Sequence, residues 1–138
     1  MTTPDLVAFL TARLDEDEAY ARQIIDAPDC GYQAKWRLPS SAVVSVGDEA
    51  DWDLLAGDSR LAAHIARWDP NRVLAEVAAK RAIVDRYMAI VEDPQDAAGS
   101  SPTSWHYAGR RDELADVLLA LARPYANHPD FDPEWNQE

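Results

Sequence analysis

Three histidines, one cysteine and 25 carboxylates are the side chains of this 138-residue chain from which catalysis or metal binding could be built. Imidazole and carboxylate together suit divalent metals. The best local group is His128, Asp130 and Asp132, whose alternation would place all three on one side of an extended segment and would serve a metal-dependent hydrolase or a small-molecule binder. His64 is a more distant candidate. Neither His-Glu-x-x-His nor Glu-x-x-His occurs, so no helix presents a ready-made ligand set. The run Asp15-Glu16-Asp17-Glu18 offers acids for proton transfer. Four successive helical residues point in different directions, however, and no nucleophile paired with a base stands beside them. A different chemistry, that of contact, is suggested by Trp105-His106-Tyr107 followed by Arg110-Arg111, an aromatic and basic cluster suited to an exposed interaction patch.

Charge and composition narrow the function classes. The formal net charge is -12, which opposes direct binding to nucleic acid or to anionic lipid, because both rely on clustered Lys and Arg. It favours solubility, cationic ligands or the basic groove of a partner protein, and an acidic shell of this kind can imitate nucleic acid toward a nucleic-acid-binding protein. Arg67, Arg72, Lys80, Arg81 and Arg86 form a more basic centre, which suggests a stripe on one helix paired with acids of this chain or of a second copy. Cys30 has no second thiol, which removes disulfide frameworks and cysteine-cluster zinc sites. No cofactor motif is present. The longest purely apolar run, Val117 to Ala122, is far below the roughly 20 residues of a membrane span, and the first residues lack the pattern of a secretory signal. A cytoplasmic location is expected.

These residues need elements to position them. Thr3-Pro4-Asp5 reads as a helix start, and Leu6, Phe9, Leu10, Leu14, Ala21, Ile24 and Ile25 recur at helical steps, giving a first helix over about 4–27. The composition then shifts to Pro, Gly and β-branched residues, and Tyr32 to Leu38 and Ala42 to Val46 flank the turn-like Pro39-Ser40-Ser41, a β-hairpin over about 32–46. A lone hairpin is marginal in water, so Tyr32, Trp36 and the valines must pack on helices. Asp58-Ser59 caps a helix over about 59–68, which Pro70 ends. Asp69-Pro70 starts the longest helix, about 70–92. Residues 93–109 read as a loop, 110–123 as a helix, and 124–138 as a proline-broken tail whose Tyr125, Phe131 and Trp135 strap it to the body. Of the five tryptophans, Trp52, Trp68, Trp105 and Trp135 fall near loops or helix ends, where such rings either anchor interfaces or lock loops; Trp36 and Trp135 fit the second role. Length and composition give one domain, mainly α (α+β), with three to four helices, a small antiparallel hairpin after the first and an extended C-terminal tail.

Three stretches together resemble a family of small actinobacterial and actinophage proteins known as a domain of unknown function. They are residues 5–18 (DLVAFLTARLDEDE), 64–74 (HIARWDPNRVL) and 124–131 (PYANHPDF). Members often carry a second histidine where Trp68 stands here, and a Pro-Gly-Pro-Trp-like turn where this chain has Ala27 to Tyr32. The resemblance implies one fold unit and an actinobacterial or phage setting, and it carries no activity. The sequence thus points to an acidic, non-enzymatic accessory or regulatory protein acting on a protein partner, without nucleic acid or membrane contact. The metal-dependent reading at His128, Asp130 and Asp132 is the alternative, and a homodimer through the long helix a third possibility.

Overall fold

The computed structural model describes residues 3–27, 32–47, 53–93 and 102–136. Four helices carry most of them: α1 (Thr3–Ile25), α2 (Ser59–Arg67), α3 (Pro70–Val91) and α4 (Pro102–Ala122). A small antiparallel sheet follows α1, in the order β1 (Tyr32–Ser40), β2 (Val43–Gly47) and β3 (Asp53–Leu55). The chain is therefore mainly α with a small sheet after the first helix, as the periodicities predict. Cys30, Trp52 and positions 94–101 of the expected loop lie outside the described residues.

Two expectations shift. The hairpin gains a third strand, since Leu54 pairs with Val44 and Leu55 with Val43. The last helix begins at Pro102 rather than near 110, so the expected loop over 93–109 ends earlier. Proline suits a first helical turn, where its missing N–H costs nothing. The steps Tyr107, Arg111, Leu114 and Leu118 then continue one stripe upstream of the residues whose apolar character is plain.

Contacts divide the chain into two compact units: residues 1–14 with 79–138, and residues 15–78. The first unit has the larger core. Leu6, Phe9 and Leu10 of α1, Val84 and Tyr87 of α3, Leu118 and Ala122 of α4 and Trp135 of the tail are all buried together. The tail is folded down as expected of its aromatics. Phe9 meets Tyr125, His128, Phe131 and Trp135, with ring centroids 5.0–6.3 Å away. Edge and tilted contacts of this kind add to the area that the rings bury. Two short 3-10 turns, Arg123–Tyr125 and Pro133–Asn136, accommodate the prolines.

The second unit has a smaller buried cluster, Val44, Val46 and Ala62, because α2 packs on β1 and β2. Polar fastenings supplement it. Asp58 caps α2 by accepting the N–H groups of Arg60 and Leu61. Arg37 reaches across the sheet to the Gly47 carbonyl at 3.1 Å. Strand β1 lies at an edge, where Pro39 costs no ladder hydrogen bond, and it carries two register shifts against β2. Gly57, at φ 71°, takes the left-handed turn that leads into α2.

Candidate functional site

The site is built around three aromatic residues of residues 15–78. Tyr20 comes from α1, Trp36 from β1 and Trp68 from the C-terminal cap of α2. With Asp17, Ala21, Ile24, Pro70 and Val73 they line a groove of about 230 Å³. Ile24 and Trp36 also line an adjoining depression of about 220 Å³, completed by Tyr32, Val46 and Leu54. The surface is apolar and open to solvent: Tyr20 is 70% exposed, Trp68 43% and Leu54 46%.

Local structure explains why two of the rings are held. One register shift of β1 falls between Tyr32 and Arg37, which takes the Trp36 N–H off the ladder. That N–H donates instead to Oδ2 of Asp69 at 3.1 Å, and the indole N–H donates to the Gln33 carbonyl at 2.9 Å. The second oxygen of Asp69, Oδ1, accepts the Arg72 N–H at 2.9 Å, which caps α3 as the Asp69-Pro70 pair predicts. A single buried carboxylate thus ties β1 to the start of α3. Trp68, one residue earlier, carries the Arg72 guanidinium over its ring at 4.3 Å, and Arg72 is steadied in turn by Glu76 at 2.9 Å. Rings fixed in this way lose little freedom when something docks on them.

Except for His64, the candidate metal ligands and the Trp105 to Arg111 patch of the sequence fall in the other unit. His128 does not sit in an open cluster. Nη1 of buried Arg13 lies 2.6 Å from both its ring nitrogens, and Nδ1 accepts the Asp130 N–H at 3.1 Å. Oδ2 of Asp130 is 3.8 Å from the same Arg13 nitrogen. Asp132 is buried and accepts the Glu134 N–H, which starts the last 3-10 turn. These groups hold the tail, and among the described residues no three His, Cys, Asp or Glu side chains are grouped as metal ligands. His64 lies on α2 beside Trp68, with ring centroids 6.4 Å apart.

The cluster Trp105, His106, Tyr107, Arg110 and Arg111 lies on the first turns of α4, where helical spacing spreads it around the axis. Trp105 is 70% exposed, His106 is exposed and Tyr107 is half-buried. Arg111 reaches Asp112 at 3.3 Å, whereas Arg110 faces a groove shared with α3. Sequence reasoning missed Arg13, Tyr20 and the fastening role of Asp69. Arg13 had a signal: it stands four residues after Phe9 and three after Leu10, inside the apolar stripe of α1.

The comparisons with known proteins bear on the whole chain. Residues 3–137 match a family of unknown function, DUF6221. The chain belongs to that family. The match spans both units and all three stretches that carry the resemblance. No curated protein and no solved structure matches the chain. Among the described residues no helix is long and apolar enough to cross a membrane.

Proposed function

We propose that this chain is a non-catalytic, cytoplasmic accessory protein that binds a partner protein by taking a basic, apolar-bearing segment into the groove of Tyr20, Trp36 and Trp68. The observation that carries this reading is that groove: aromatic, solvent-open and with two of its three rings, Trp36 and Trp68, already held. Tyrosine and tryptophan supply large contact area with few rotatable bonds and dominate binding energy at interfaces. Charge complementarity selects a basic occupant, because Asp17 lines the groove within a chain of net charge -12. A guanidinium or ammonium from the partner would meet tryptophan and tyrosine faces, as Arg72 already meets Trp68. Nucleic-acid-binding proteins carry segments of this composition, and the actinobacterial or phage setting implied by the resemblance is where to seek one.

The test uses the full chain, tagged, in an actinobacterial lysate, alongside a Tyr20→Ser/Trp68→Ala variant and a Trp105→Ala variant. A stoichiometric partner that cross-links to the groove, weakens with added salt and is lost from the first variant but kept by the second supports the proposal. A partner lost only from the Trp105 variant transfers the function to the α4 patch. Capture indifferent to both variants, or self-association in place of a partner, overturns it.

A further inference from the structure

Independently of that reading, the unit formed by residues 1–14 and 79–138 contains a groove of opposite character. Its volume is about 400 Å³, and its walls come from Ala82, Ile83 and Arg86 of α3 and Arg110, Glu113, Leu114 and Val117 of α4. On α4 these are the i, i+3, i+4 and i+7 positions of a single face. That size falls within the range of small-molecule sites, which are mostly apolar with a few convergent polar groups.

The two arginines stand out. Arg86 is exposed and Arg110 half-buried, and among the described residues neither guanidinium has a hydrogen bond or ion pair. Most other arginines here are engaged: Arg13 with His128, Arg22 with Glu18, Arg60 with Asp58, Arg72 with Glu76 and Arg111 with Asp112. In a chain with 25 carboxylates against 13 Lys and Arg, two cations brought to one groove from two helices, neither paired among the described residues, make a local reversal of charge. Glu113 is the single carboxylate among the lining residues, so the lining keeps an excess of positive charge.

We infer that this groove binds a small organic anion with an apolar body, its carboxylate or phosphate head held between Arg86 and Arg110 and its apolar part laid along Ile83, Leu114 and Val117. Guanidinium forks match the oxygens of both head groups, and charge-assisted hydrogen bonds are the strong ones. Glu113 opposes the head and limits affinity.

The experiment is isothermal titration of the full chain with octanoate and with octyl phosphate, using octyl glucoside as the uncharged control. Expected are one saturable site per chain, weakening of about tenfold for Arg86→Gln or Arg110→Gln (about 1.4 kcal/mol each), and tightening for Glu113→Gln. Preference between the two probes tells carboxylate from phosphate. Neither arginine supports another described group, so the variants should melt with the wild type, and circular dichroism verifies that they fold. Absence of saturable binding at millimolar concentration, equal binding of octyl glucoside, indifference to the double arginine variant, or weakening by Glu113→Gln would each overturn the inference. So would arginine-dependent binding of polyglutamate without binding of either octyl anion, which would make the groove a docking site for an acidic chain.

Discussion

The two units reach stability by different means. In residues 1–14 and 79–138, eight buried side chains from three helices and the tail form a core in which Leu10 and Leu118 are fully shielded. In residues 15–78 the buried cluster is three small or β-branched side chains, and the larger rings stay half-exposed above it. What the second unit lacks in packing it supplements with directed hydrogen bonds at Asp58, Asp69 and Arg37. The unit with a fuller core can present polar groups that have no partner among the described residues, as Arg86 and Arg110 show. The unit with a sparse one presents its own aromatics, with Tyr20 and Trp68 left exposed.

Substitutions can break or sharpen this contrast. The largest effect is expected from Leu118→Ala, a cavity in the packed unit worth about 3–5 kcal/mol of lost stability in chemical denaturation. Asp69→Ala tests the polar unit. It removes a helix cap and orphans the Trp36 N–H, with a combined cost of about 2–4 kcal/mol. Trp36 and Trp68 fluorescence should shift with it, and an unchanged melt would show that β1 is held some other way. Arg13→Ala probes the exception, a cation within the packed unit, seated 5.1 Å from the Phe9 ring centroid and against His128. Its loss should cost about 1–3 kcal/mol and expose the tail to protease. Gly109→Ala should act the other way. Gly109 lies inside α4 with open space around an added Cβ, so a gain of about 0.5–1 kcal/mol is expected in the melt.

The smallest effect concerns pH. The Arg60 side chain, followed by the N–H groups of Arg60 and Leu61, holds the carboxyl of Asp58 below its ordinary value of 3.8. A carboxylate lowered on folding contributes stability that is complete above its unfolded value and lost as pH falls through the lower folded one. The α2 cap is therefore expected to be indifferent to pH near neutrality and to fade in acid. Asp58→Asn should flatten that acid limb in a pH series of melts. A limb unchanged in the variant would assign it to other carboxylates.

The helices were legible in the sequence because their signals are local. Asp58-Ser59 and Asp69-Pro70 mark helix starts by cap chemistry, and Leu6, Phe9, Leu10 and Leu14 mark a face by spacing. The third strand was not, since Asp53-Leu54-Leu55 is too short for a period and exists through pairing with β2. The first turns of α4 were hidden by Thr103, Ser104 and Gly109, residues of modest helix propensity. The candidate grooves were the least legible. Tyr20, Trp36 and Trp68 belong to three elements, and Arg86 and Arg110 to two, so only tertiary packing brings each set together. Trp105 could be read as exposed, but Arg110, five residues on, could not be assigned to a groove shared with Arg86 of α3.

The chain order of the first unit has a consequence for synthesis. Residues 15–78 form their unit from one continuous stretch, complete as soon as it has left the ribosome. Leu6, Phe9 and Leu10 precede that stretch, yet Leu118 and Trp135, which bury them, are translated more than a hundred residues later. Until then the apolar face at the start of α1 travels uncovered, and closure of that core has to wait until after the 15–78 unit is complete.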